Sequence, residues 1–279
     1  MKKVGLVIVF LIVLYYVYKR IPVTEVGCDV PLTYHERQVF RMSSSVPSSE
    51  VVVVGHDDIV EDVYGVLRLW EREDRSGLYD PPKGILLYGP PGTGKTTLVK
   101  HICKEHQIAH WLRITPDMVE NKYQGESFKL MRAVFTLAKK LQPCLIFFDE
   151  IDGIMAARND IDQSHTNTMK TMFLNGMDEI GSSKVLVVGA TNRPECLDKA
   201  LMRRMELKFE MGYPSSSVKR QFVNRMTTDL PSFDEETKSF VCEHFESLHD
   251  IQVFLKYYIR SEQTDVYHVL DKFNRQLKY

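Results

Sequence analysis

Gly89-Pro90-Pro91-Gly92-Thr93-Gly94-Lys95-Thr96 fulfils the whole P-loop pattern and follows directly on the apolar run Ile85-Leu86-Leu87-Tyr88. The order is strand, glycine loop, helix. Glycines let the backbone turn tightly enough for several N–H groups to converge on one phosphate, and the helix behind them points the positive end of its dipole there. In that geometry Lys95 reaches the β- and γ-phosphates and the Thr96 hydroxyl ligates Mg²⁺, with Thr97 completing the binding set. Such a loop commits the chain to an α/β fold that binds a nucleotide.

Further along, apolar runs at 110–114, 144–148, 185–190 and 207–209 alternate with helical stretches. Strands alternating with helices predict a doubly wound parallel sheet. Ahead of the loop, Ile59, Val63, Val66, Leu67 and Trp70 recur at helical spacing, and residues 51–54 read as a small strand. Residues 21–50 read as polar and irregular apart from an amphipathic piece at 33–42. Beyond Pro214 the strands stop, and helices are expected near 218–228, 234–245, 250–259 and 264–277, a small helical lid.

The amino terminus follows a different logic. Residues 4–18 hold no charge, are bracketed by Lys2-Lys3 and Lys19-Arg20, and include eleven Val, Leu, Ile or Phe residues. At roughly 0.3–0.6 kcal/mol each, their insertion into a bilayer is favoured by about 3–7 kcal/mol. At about 1.5 Å per residue the segment covers ~22 Å of a ~30 Å hydrocarbon core, a deficit that snorkelling lysines and a belt of Tyr15, Tyr16 and Tyr18 would bridge. A cleaved signal peptide would want small residues where this chain has Lys19-Arg20-Ile21-Pro22. A retained single-pass transmembrane helix is therefore expected, with the nucleotide-binding part facing the cytosol, where nucleotide is abundant.

A formal net charge of -1 gives no support for nucleic acid as a partner, because a phosphate-tracking surface shows as a strong basic excess. Five scattered cysteines without a C-x-x-C pair read as reduced thiols.

The catalytic candidates follow the later strands. Leu145-Ile146-Phe147-Phe148 ends in Asp149-Glu150, which places two carboxylates at a strand end beside the P-loop. Asp149 would hold Mg²⁺ and Glu150 would polarise the water that attacks the γ-phosphate. Asp152 adds a carboxylate to which the sequence assigns no role. Asn192, in Gly189-Ala190-Thr191-Asn192-Arg193-Pro194, could orient the water or simply form a turn. Arg203 and Arg204 suit charge stabilisation on a transferring phosphoryl group, or else complement a helix dipole. Tyr123, in the loop from Asn121 to Ser127, could grip a peptide side chain or cover a core edge.

Together G-P-P-G-T-G-K-T, F-F-D-E-I-D, G-A-T-N-R-P and L-M-R-R, in this order and spacing, resemble the AAA ATPases. Within that family Lys122-Tyr123-Gln124-Gly125-Glu126-Ser127 resembles the first pore loop of the branch with katanin and spastin. Lys139-Lys140-Leu141-Gln142-Pro143-Cys144 and Leu32-Thr33-Tyr34-His35-Glu36-Arg37 resemble the mitochondrial outer-membrane and peroxisomal extractases of mislocalised tail-anchored proteins.

The resemblance implies a homohexamer hydrolysing ATP between subunits, with Arg203 and Arg204 reaching the neighbour's site. Lys122, Tyr123 and Gln124 would line a central pore, and the membrane would be that of the mitochondrion, or else the peroxisome. Asp58 and Ile59 fall where the family contacts adenine, although Val60-Glu61 replaces the usual glycine pair. Gln124 stands where the extractases carry a second aromatic. The expected layout is an anchor at 1–20, a linker domain at 21–57, a large ATPase domain at 58–214 and a small lid at 215–279. Two rivals stay open: a membrane-tethered relative of the microtubule-severing enzymes, and a scaffold that uses nucleotide as a switch with little turnover.

Overall fold

The computed structural model describes residues 23–25, 28–42, 53–69, 81–106, 108, 110–119, 124–155, 163–228, 233–261 and 266–276. Five strands form one parallel sheet: β3 (Gly84–Tyr88), β4 (His110–Ile114), β5 (Cys144–Phe148), β6 (Val185–Thr191) and β7 (Leu207–Glu210), in the spatial order β4-β5-β6-β3-β7. They include the four apolar runs expected to be strands. The helices between them are α3 (Lys95–Glu105), α4 (Pro116–Val119), α5 (Gln124–Lys140), α6 (Ile151–Met155), α7 (Gln163–Ile180) and α8 (Lys199–Arg204).

Alternation along β3, β4, β5 and β6 feeds two cores, while the apolar residues of β7 face one. Leu86, Ile146 and Phe148 pack into one, with α5 and α7, while Ile85, Leu87, Leu145 and Phe147 pack into the other, with α3 and the earlier helix α2 (Asp57–Leu69). Period-two side-chain direction makes a doubly covered strand read as a continuous apolar run. In the first core Phe173 sits edge-on to both Phe135 and Phe148, at centroid separations of 5.7 and 5.0 Å. Truncating such a ring typically costs about 3–5 kcal/mol. Because β3 lies between β6 and β7 while its crossover runs to the far edge, a crevice opens at the carboxyl ends of β3, β5 and β6.

Ahead of the sheet the chain is more ordered than its composition implies. β1 (Val23–Glu25) and β2 (Cys28–Leu32) pair antiparallel, and α1 (Tyr34–Met42) occupies the amphipathic piece. Thr33 and Glu36 cap α1 reciprocally: the Thr33 N–H donates to Glu36 Oε2 at 2.8 Å and the Glu36 N–H to Thr33 Oγ1 at 3.4 Å. Val53 and Val54, by contrast, form no strand. Val53 packs on the core beneath α2 and α3 and Val54 on the core of the C-terminal helices, so this segment bridges two cores rather than joining a sheet.

Those last helices, α9 (Ser216–Met226), α10 (Glu235–His244), α11 (Leu248–Ser261) and α12 (Val266–Gln276), enclose a core of their own around Phe245, Phe254 and Phe273. Ser215 and Asp234 cap α9 and α10 through their side chains. Among the described residues no helix is long and apolar enough to cross a membrane, and the segment at 4–18 read as an anchor lies outside them.

Candidate active site

The loop between β3 and α3 holds three glycines at positive φ: Gly89 at 144°, Gly92 at 75° and Gly94 at 97°. A Cβ on Gly92 would lie 2.8 Å from Ser247 Oγ, so the C-terminal helices approach the loop closely there. At Gly94 a Cβ would meet nothing within 4 Å. Open space therefore lies over the start of α3, where converging N–H groups favour an anion.

Lys95 is tucked under this loop, 9% exposed, its Nζ donating to the carbonyls of Gly89 at 2.8 Å and Pro90 at 2.7 Å. Burial draws its pKa below the ordinary lysine value, while Asp149 and Asp152 oppose the shift. The Thr93 hydroxyl donates to Pro90 O at 3.0 Å, and His56 Nε2 donates to Thr93 O at 3.3 Å, so the loop is braced from behind.

The Thr96 hydroxyl lies 3.2 and 3.3 Å from the two carboxylate oxygens of Asp149 at the end of β5. Next to it Glu150 has φ 54°, the one positive-φ residue other than glycine among those described. A left-handed glutamate costs of order 1 kcal/mol and persists where its surroundings fix it. Here the Gly153 N–H donates to Glu150 O at 2.8 Å and starts α6.

These groups border one cavity of about 420 Å³, within the size range of nucleotide-scale ligand sites. Pro91, Gly92, Gly94, Lys95, Thr96 and Thr97 line it together with Asp149, Glu150 and Asn192. Gly89, Pro90 and Thr93 stand behind the lining as partners of Lys95 and of one another. Asp58 and Ile59 sit in the first turn of α2, outside the lining, with Ile59 buried in the core. A glycine cradle at a helix N-terminus, beside a hydroxyl and a carboxylate, is the donor set that a polyphosphate and its hard divalent cation require, so the residues fit ATP with Mg²⁺.

Residues not foreseen as members join the site, Ala190 and Thr191 lining the cavity beside Asn192. Arg113 in β4 reaches Asp149, with Nη2 2.6 Å from Oδ2. Asp152 accepts the Thr191 hydroxyl proton at 2.6 Å, and that hydroxyl oxygen accepts the Arg193 N–H at 2.9 Å, fastening the end of β6 to α6. His249, in the first turn of α11, lines the cavity from the C-terminal helices. Arg113 did leave a signal, a charge inside an otherwise apolar strand, whereas nothing local betrays the approach of His249 to Gly92.

Of the two candidate arginines, Arg204 donates to Asp178 through Nε at 3.0 Å and Nη2 at 2.9 Å. Arg203 is exposed and makes no ion pair among the described residues. Lys122 and Tyr123 lie outside the described residues, and Gln124 begins α5.

Comparison with known proteins agrees with this geometry. Residues 85–213 match the family described as ATPase family associated with various cellular activities (AAA). The chain is 43% identical over 170 residues to the outer mitochondrial transmembrane helix translocase of Xenopus tropicalis, covering 58% of this chain and 47% of that protein. To the protein of that name from Danio rerio it is 38% identical over 210 residues, covering 71% and 55% respectively. The chain thus spans about half the length of these relatives. Among solved structures, the FIGL-1 AAA domain in complex with ADP superimposes with a TM-score of 0.68 at 26% identity, covering 84% of this chain and 82% of that one. The sheet, its P-loop and the carboxylates at the end of β5 are those of an ATPase domain of the AAA family.

Proposed function

We propose that this chain is a membrane-anchored AAA ATPase that couples ATP hydrolysis to the extraction of membrane proteins. The observation that carries the reading is the convergence of Thr96, Asp149, Glu150 and Asn192 on the cavity edged by the P-loop. The relatives named as outer mitochondrial transmembrane helix translocases supply the direction of the work.

In this reading Lys95 leaves its two loop carbonyls for the β- and γ-phosphates, while Thr96 and Asp149 hold the Mg²⁺ side of the nucleotide. Bound there, the cation neutralises charge on the phosphates. Glu150 accepts the proton of the attacking water, the bond from the γ-phosphorus to the bridging oxygen breaks, and ADP and inorganic phosphate result. Asn192 orients the water. Arg203, already free, reaches the neighbouring subunit's site in a homohexamer, and Arg204 joins it only by releasing Asp178. Asp58 and Ile59 border the adenine side.

The remaining assignments complete the machine. Residues 1–20 anchor it in the bilayer, 21–57 form a linker domain, 58–214 the ATPase domain and 215–279 the lid. Lys122, Tyr123 and Gln124 grip substrate in the central pore, and the substrates are mislocalised, tail-anchored proteins of the mitochondrial outer membrane.

Glu150→Gln is the sharp experiment. In the full chain reconstituted into liposomes with a tail-anchored protein, it should keep ATP binding, abolish turnover and leave the substrate in the bilayer. Undiminished hydrolysis by the variant overturns the role of Glu150, and hydrolysis by the wild type without any extraction overturns the proposed work.

A further inference from the structure

In the register of the sheet Arg113 pairs with Phe147, two residues before Asp149. Residues two apart along a strand point to one face, so the Arg113 side chain runs toward the Asp149 carboxylate across the strand pair. Its Nη2 and Nε both donate to Oδ2, at 2.6 and 3.2 Å, while Oδ1 stays 3.2 Å from the Thr96 hydroxyl. The Asp149 side chain is 13% exposed and that of Arg113 32%, so water screens this pair less than a surface one.

We propose that Arg113 is a positioning residue that holds Oδ2 of Asp149 and thereby raises the Mg²⁺ concentration that the nucleotide site requires. The inference rests on the reading of Asp149 as a support for the cation. A guanidinium on the carboxylate cancels the charge that would otherwise attract a divalent ion, and it occupies one of the two oxygens. Oδ2, shared between the guanidinium and the Thr96 hydroxyl at 3.3 Å, has less capacity left for a cation than Oδ1. A free cation is then held poorly, whereas one carried in on nucleotide phosphates brings its own counter-charge. Arg113 thus favours entry of the metal–nucleotide complex over entry of the metal alone.

The test is binding of a fluorescent ADP analogue to the full chain in detergent, titrated with MgCl₂. Arg113→Met should move the Mg²⁺ midpoint down roughly 3- to 10-fold, the size expected for one removed charge in a partly screened site. Affinity measured in EDTA should not move. Arg113→Lys, which keeps the charge, should restore most of the wild-type midpoint, and Arg113→Gln offers a polar substitute should the methionine variant fail to fold. An unmoved midpoint in both neutral variants, with Asp149→Asn abolishing the Mg²⁺ response, overturns the role of Arg113 and leaves that of Asp149 standing. A Mg²⁺ response that survives Asp149→Asn overturns the reading of Asp149 itself, and the proposal with it.

Discussion

Lys140 Nζ lies 2.8 Å from Glu36 Oε2, joining the last turn of α5 to the first turn of α1 across 104 residues of sequence. The same ammonium donates to Pro31 O at 3.2 Å. Glu36 is 3% exposed, and it also accepts the Thr33 N–H. The two segments that resemble the extractases, around Thr33-Tyr34-His35-Glu36 and around Lys139-Lys140-Leu141, are therefore two sides of one contact. Lys140→Met leaves the Glu36 carboxylate buried without its cation and should cost about 1–3 kcal/mol in denaturant unfolding. The double variant Glu36→Gln with Lys140→Met should cost less than Lys140→Met alone, because no charge is then stranded. A double-variant loss equal to the sum of the two single-variant losses would show that the pair is not coupled.

The same contact sets an acid limit. Burial pushes the Glu36 carboxyl up, but hydrogen bonds from Lys140 and from the Thr33 backbone outweigh it and bring the pKa below the ordinary glutamate value. A folded pKa below the unfolded one means the unfolded chain binds the proton more tightly. The stability from this pair is thus fully present above about pH 4.5 and is lost as pH falls through the lowered folded value. Hydrogen exchange at α1 should accelerate in that window in the wild type and show no such step in Glu36→Gln.

Glu150 is the clearest conflict between stability and chemistry. Its φ of 54° suits glycine, so Glu150→Gly should raise stability by about 1 kcal/mol while abolishing hydrolysis. Glu150→Gln should abolish hydrolysis without that gain. Thermal melts of the three proteins beside a phosphate-release assay separate the outcomes; a glycine variant no more stable than the wild type would show that the backbone is not strained.

The arginines should behave differently from each other. Arg203→Ala should lower kcat by roughly 10³, the scale of a lost arginine finger, with the melting temperature unchanged. Arg204→Ala should also lower the melting temperature slightly, because Arg204 ties α8 to α7 through Asp178. If Arg203→Ala melts early while hydrolysing normally, Arg203 is a structural residue.

The sheet was legible because each of its strands obeys a local rule: apolar residues on both faces of β5 and β6 leave no reading but a buried strand. The placement of Asp149 and Lys95 beside one cavity was legible because it follows from position on a strand end and a loop. The hairpin of β1 and β2 was not, since Val23 pairs with Leu32 in a short, polar stretch whose partner choice no periodicity records. Val53 and Val54 misled for the opposite reason, an apolar pattern spent on bridging two cores. Arg113 and His249 reach the site only through long-range approach, to Asp149 and to Gly92.

That last approach yields a paired prediction. A Cβ on Gly92 would meet Ser247 Oγ at 2.8 Å and His249 Cβ at 3.3 Å, so Gly92→Ala must push α11 away from the P-loop or strain the loop. A Cβ on Gly94 has open space before it, and the proposed function puts the phosphates in that space. Gly94→Ala should therefore bind nucleotide poorly with its C-terminal helices still docked. Gly92→Ala should lose the docking first, and nucleotide affinity as a consequence. His249→Ala should mimic only the second part, weakening nucleotide binding roughly 2- to 12-fold, the worth of one hydrogen bond. Nucleotide at about 100 times its Kd stabilises a folded protein by ~2.7 kcal/mol, so ligand-induced melting shifts measure all three. The wild type and His249→Ala should keep most of that shift at saturating nucleotide, and Gly94→Ala should keep almost none. A full shift in Gly94→Ala would place the phosphate elsewhere than over the start of α3.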